Sequence, residues 1–163
     1  TERVGGDSQS VLESCDNMSQ RTNDLLTNIQ DFVGLALSDS EDMKVIEMAK
    51  SDHMKFVGRI FNTLIEADNL NSAEIPDCHH CNFGKWYDAA AVDSPLRSNE
   101  AFISLQEPHR HVHDLGKKIV QLHETGSNKE ARNMEKDLTA VSETIYHLLT
   151  ELTDQVATRI EDD

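Results

Sequence analysis

Three stretches of this sequence repeat apolar residues at spacings of three and four, and in two of them a histidine stands where the next apolar residue would fall. The first reads Ile46, Ala49, His53, Phe56/Val57, Ile60 and Leu64. The second reads Phe102, Leu105, His109, Val112/His113, Gly116 and Ile119/Val120. The third, Met134, Leu138, Val141, Ile145, Leu148, Leu152 and Val156, carries no histidine. Such spacing draws one apolar stripe along an α-helix and does not match the period of two that a strand requires. Aromatics at 5%, with 7 glycines and 3 prolines in 163 residues, suit helices better than sheets. An all-α protein is expected: an antiparallel four-helix bundle over residues 41–160, with His53, His109 and His113 turned inward.

Punctuation places the helices. Ser38-Asp39-Ser40-Glu41-Asp42 supplies N-cap chemistry and first-turn acids for a helix from about Asp42 to about Asp68. Asn69 to Ser72 and Pro76 end it and begin a loop. Lys85 to Ala91 reads as two helical turns, and Pro95 to His123 as a long helix with a candidate break at Pro108. Gly126 suits the position just past a helix end, and a last helix is expected from Asn128 to Ile160. Ahead of the bundle, Val4, Val11, Met18, Leu25 and Phe32 recur every seven residues, with Ser8, Cys15, Thr22, Ile29 and Ala36 between them. This predicts a coiled-coil or linker helix over residues 1–40, with Cys15 packed in its seam. The chain starts at Thr1 without Met, which reads as a segment of something longer.

A net charge of −15 argues against nucleic acid or an anionic membrane as partner. No apolar run approaches the ~20 residues that span a bilayer. With no basic and apolar leader visible and an odd 3 cysteines, the cytoplasm is the expected compartment, and metal or redox chemistry the expected use of the close Cys78/Cys81 pair.

That pair lies in Pro76-Asp-Cys-His-His-Cys-Asn-Phe-Gly-Lys-Trp-Tyr87, between the two histidine-bearing stripes. His109 and His113, four residues apart, project from one helix face, whereas His111 points away. Three inward imidazoles on two helices, with a thiol between them, make a Zn2+ site. Cys78-x-x-Cys81 leaves the fourth ligand open. Cys81 is favoured because Phe83, Gly84 and Trp86 anchor the chain after it, with Cys78, His79 and His80 as rivals or neighbours. Glu107, Asp114 and Asp52 are candidates to receive the imidazole N–H groups. The stripes show no inward Asp or Glu, so a carboxylate-rich hemerythrin-like or hydrolytic centre is not expected.

In these residues the sequence resembles the chemoreceptor zinc-binding domain of bacterial sensory proteins. The shared pattern is a first-helix histidine (His53), a Cys-x-Phe-Gly-x-Trp-Tyr loop (Cys81 to Tyr87) and a His-x-x-x-His pair (His109, His113), across about residues 43–156. The resemblance implies a cytoplasmic, usually dimeric bundle holding one zinc through His53, Cys81, His109 and His113. Such domains regulate chemoreceptors, and so chemotaxis signalling proteins, or diguanylate cyclases. The segment before it resembles a chemoreceptor signalling coiled coil, ending at Leu25 to Val33. Cys78-His79-His80 departs from the family pattern by offering further ligands. The expected role is non-catalytic sensing of zinc, or of an oxidant such as hypochlorous acid through a zinc-bound cysteine; a purely structural zinc module is the alternative.

Overall fold

The computed structural model describes residues 40–162, with side chains described as far as Thr158; the expected coiled-coil or linker helix over residues 1–40 lies outside them but for Ser40. Five α-helices follow one another: α1 (Glu41–Leu64), α2 (Asn82–Asp93), α3 (Glu100–Glu124), α4 (Asn128–Asn133) and α5 (Glu135–Asp162). Short 3-10 turns at Ser72–Glu74 and Pro95–Ser98 lie in the two connections flanking α2. No strand occurs among the described residues.

Side-chain contacts fix the directions of the helices. His53 meets His109 and His113, and Phe56 stacks on His113, so α1 and α3 run the same way. Phe83 touches His53 and His109, while Tyr87 stacks on Phe102 and Trp86 donates to Asp42, so α2 runs against both. On α5, Thr153 donates to Glu47 and Gln155 meets Asn99, so α5 also opposes α1 and α3. The result is the antiparallel four-helix bundle, with α2 as its short member and α4 as a turn of helix before α5.

The apolar stripes meet along the bundle axis. Ile46, Ile60, Phe102, Leu105, Ile119, Leu138, Ile145, Leu149 and Leu152 are fully buried. Each such side chain contributes about 1.5–3 kcal/mol relative to exposure. On α5 the expected Leu138, Ile145, Leu152 and Val156 are buried, but Leu149 is buried in place of Leu148, and Val141 is only half-buried. Gly116 lets α1 come close: a Cβ there would stand 2.6 Å from both Phe56 and Ile60.

Several boundaries differ from expectation for identifiable reasons. α1 ends at Leu64, not Asp68, because Glu66 takes a left-handed φ of 60°. Glu66 N–H then donates to Thr63 O and Ala67 N–H to Asn62 O, closing a Schellman end, and Asp68 folds back to accept from Arg59. α3 uses the same closure with Gly126 (φ 79°), as expected from its sequence. α2 begins at Asn82, three residues before the expected Lys85, because Cys81 caps it: Sγ accepts from Gly84 N–H at 3.2 Å. Pro95 opens a 3-10 turn rather than α3 itself, which Asn99 caps through Phe102 N–H. Pro108 does not break α3, since the Ser104 carbonyl it leaves unbonded belongs to an exposed residue. The expected last helix is divided at Met134, whose N–H bonds to Ala131 O in a 3-10 closure.

The loop between α1 and α2 returns along the bundle and is pinned at two points. Ser72 gives both its N–H and its hydroxyl to Glu124 at 2.8 and 2.7 Å, and Leu70 and Ile75 are buried. Near α2 the chain passes so close that a Cβ on Gly84 would lie 1.7 Å from the Cys78 carbonyl oxygen. A Cβ on Gly58 in α1 meets nothing within 4 Å. Opposite outcomes are therefore expected from the same substitution. Gly84→Ala should destabilise by about 3 kcal/mol, the upper range for overpacking against backbone. Gly58→Ala should stabilise by about 0.5–1 kcal/mol through helix propensity. Chemical denaturation of the two variants checks this.

Candidate metal centre

His53, His109 and His113 are buried at 7, 4 and 6% exposure, and one ligand atom from each lies within 4.8 Å of the others. Their ring centroids are 5.0 to 6.1 Å apart. The stripes place them there: His53 replaces an apolar residue on α1, and His109 and His113 occupy successive turns of the inward face of α3. Phe83 closes one side, with its ring edge-on to His53 and His109 at 5.7 and 4.9 Å. Phe56 stacks on His113 at 5.1 Å.

Hydrogen bonding leaves this group incomplete. His53 Nδ1 lies 2.7 Å from the Ala49 carbonyl, so it carries the proton and the Nε2 lone pair points into the cluster. His53 Nε2 and both nitrogens of His113 have no hydrogen-bond partner. The Pro76 carbonyl faces His113 and raises its basicity, but without hydrogen-bond geometry at either nitrogen. An orphaned buried donor or acceptor costs about 1–3 kcal/mol, so three such atoms side by side are an expensive arrangement unless something fills the space between them. A divalent cation held by one nitrogen of each ring would satisfy His53 Nε2 and one nitrogen of His113, and neutral imidazole is the form that binds it. The donor set fits zinc.

Cys81 stands beside this cluster, its Sγ 3.3 Å from His109 Nε2. It is outside the group of atoms that all lie within 4.8 Å of one another. Burial pushes the thiol up, and the amides of Gly84 and Phe83 at the start of α2 pull it back down. A cation in the cluster would act on the sulfur in the same sense as those amides. The competing groups are not among the clustered ligand atoms. His79 pairs with Asp88 at 2.9 Å and His80 with Asp77 at 2.7 Å, both exposed. Cys78 is half-buried, and its carbonyl lies 3.7 Å from Cys81 Sγ.

Three expectations about supporting groups are corrected. Glu107 and Asp114 do not reach the imidazoles; both pair with Arg110 on the exposed face of α3. Asp52 is 3.8 Å from Lys55, and the partner of His53 is the Ala49 carbonyl, which no side-chain pattern announces. An inward carboxylate does exist: Glu47, its side chain 8% exposed, holds Lys50 at 2.6 Å and accepts from Thr153 at 2.7 Å. Those bonds occupy it, and it is not one of the clustered metal-ligating groups.

Burial lowers the basicity of all three rings, and repulsion from neighbouring imidazoles adds to the fall of His109 to about 3 and His113 to about 4, while the Ala49 bond only partly opposes the fall at His53. A depressed histidine contributes stability that is present above its unfolded value of 6.5 and is lost as pH drops towards its folded value. In the metal-free protein the unfolded chain takes up these protons first. Its stability should therefore fall steadily between about pH 6.5 and about pH 4. Denaturant unfolding across that range checks this, with a His109→Leu/His113→Leu double variant expected to show the shallower slope.

Residues 53–120, which include all four candidate ligands, match the family model described as the chemoreceptor zinc-binding domain. No curated protein and no solved structure matches the chain significantly. Zinc is the metal of that family, and the buried histidine cluster suits it. Over residues 53–120 the chain is thus similar to the chemoreceptor zinc-binding domain family.

Proposed function

We propose that this regulatory domain is a zinc-dependent switch in which His53, Cys81, His109 and His113 hold one Zn2+. The observation that carries the reading is the set of unpartnered imidazole nitrogens beside a helix-capping sulfur. Zinc supplies the positive charge that keeps a buried cysteine as thiolate. Three imidazoles and one thiolate complete a tetrahedron and leave no position for a reactive water, which favours sensing over catalysis.

Cys81 is the reactive atom of this proposal. Its thiolate attacks hypochlorous acid and becomes a sulfenic acid, while chlorine leaves as chloride. Sulfur loses two electrons, chlorine gains them, and the hydroxyl passes to sulfur. The neutral sulfenic acid is a poorer ligand and a poorer acceptor for Gly84 N–H, so the first turn of α2 loosens. His53 on α1 and His109 and His113 on α3 then lose a shared tie, and helices packed side by side answer by small shifts or rotations. A fall in available zinc releases the same tie. We place the domain in the cytoplasm as a homodimer within a chemotaxis-receptor-type signalling protein, the output of which it adjusts; no described helix is long and apolar enough to cross a membrane.

The deep burial of the three histidines also suits a second reading, a structural zinc site that senses nothing. Metal content and oxidant titration separate the two. The sensor reading expects roughly one zinc per chain, released by oxidant from wild type and from Cys78→Ala. Cys81→Ala should bind zinc more weakly and lose the oxidant response. Stoichiometric zinc that oxidant does not dislodge would establish the structural reading instead.

A further inference from the structure

A cavity of about 310 Å3 opens beside the histidine cluster. Its inner wall includes His53, His113 and Cys81, and its other lining residues include Asp52, Pro76 and His80. His109 does not line it, so the cluster meets this opening on one side only. At about 30 Å3 per water, a zinc ion with six waters needs roughly 200 Å3 and fits. Beyond the cavity that ion must exchange water for buried ligands one at a time.

His80 is built to begin that exchange. Its side chain is 74% exposed, and its Nδ1 lies 2.7 Å from Asp77 Oδ1. A carboxylate on one ring nitrogen holds the proton there and leaves the other, Nε2, with a free lone pair. Asp77 is itself fixed, because the backbone amides of His79 and His80 both donate to Oδ1, at 2.9 and 3.2 Å. The neighbouring His79 is similarly tied to Asp88 but does not line the cavity.

We propose that His80, oriented by Asp77, is the entry and exit ligand of the metal centre. This rests on the metal-binding reading above and adds the route by which the ion comes and goes. His80 Nε2 would receive the ion at the rim in place of a water. The inner ligands would then take it over, and His80 would let go as the last of them binds. Each step trades one ligand for another without change of oxidation state, and the Cys81 thiol proton leaves to solvent through the same opening. On release the sequence reverses, with His80 replacing an inner ligand before the ion departs.

Stopped-flow kinetics on the full chain tests this, with Zn2+ alone for loading and an excess of chromophoric chelator for removal. His80→Ala should slow loading and removal by the same factor, about tenfold, the rate equivalent of one modest interaction lost from the transfer step. Zinc stoichiometry and equilibrium affinity should be unchanged. Asp77→Ala should slow both in the same direction but less, and His111→Ala, exposed on α3, should slow neither. Helicity by circular dichroism confirms that each exposed substitution leaves the fold intact. Unchanged rates in His80→Ala, or equal slowing in His111→Ala, would overturn the proposal. Weaker binding with faster release would overturn it too, by making His80 a ligand of the bound ion. If wild type takes up no zinc, the metal-binding reading itself fails, and the entry route with it.

Discussion

Three neutral imidazoles share one buried space, and their hydrogen bonds do not close. His53 gives its proton to Ala49 and keeps a lone pair aimed inward; His113 has no partner at either nitrogen. In an apolar interior such atoms are destabilising singly, and protonating them would be worse, because each ring would then repel the next. A cation takes one lone pair from each ring, lone pairs that no neighbouring donor reaches. Around this point α1 and α3 run in the same direction, with His53 against His109 and Phe56 against His113, and α2 and its loop come between them in the chain.

The metal level is nonetheless only one layer of the bundle. Ile46 and Ile60 flank His53 on α1, and Leu105 and Ile119 flank the histidine pair on α3, all fully buried. Hydrophobic seams of that length hold helices together without an ion, unlike small zinc modules, which are unfolded without metal. Under the proposed switch, loss of the ion would change how α1, α2 and α3 meet, not whether they form, which is the behaviour a signal needs. The buried Glu47–Lys50 pair acts on the other side of α1, where Thr153 ties it to α5 and fixes the register of those two helices.

The fold class and the inward histidines were legible because both depend on periodicity, which a helix imposes on every residue it contains. His53, His109 and His113 lie where the stripes put them, and Gly126 ends α3 where a left-handed residue was needed. Features depending on a single local bond were not legible. Glu66 takes a left-handed φ that glycine usually supplies, so nothing in its type marked the end of α1. The orienting group for His53 is a backbone carbonyl, and every residue has one of those. The inward Glu47 was not legible because a carboxylate is costly to bury alone; only its pairing with Lys50 across one helical turn makes the burial tolerable. The acids near the α3 histidines looked like partners by spacing, but Arg110, between them in sequence, claims both on the outer face.

Cys81 joins the two kinds of feature. Sequence pattern marked it as a ligand, while the structure gives its sulfur a second task as the N-cap of α2, accepting from Gly84 N–H. Cysteine is not among the residues that usually cap helices, and its softer sulfur makes a longer, weaker bond than a serine or aspartate oxygen. The choice makes sense if the same atom has to serve a metal. A negative sulfur is a good acceptor at a helix N-terminus, and the positive end of the helix favours the negative sulfur. On the proposed ligation, removing that charge, by proton or by oxidation, would weaken the cap and the metal bond together. α2 carries Phe83 against His53 and His109, Trp86 against Asp42 and Tyr87 against Phe102, so on that proposal its first turn would report the state of the sulfur to both long helices. Gly84 completes the coupling: because it passes hard against the Cys78 carbonyl, the loop and the start of the helix cannot move independently.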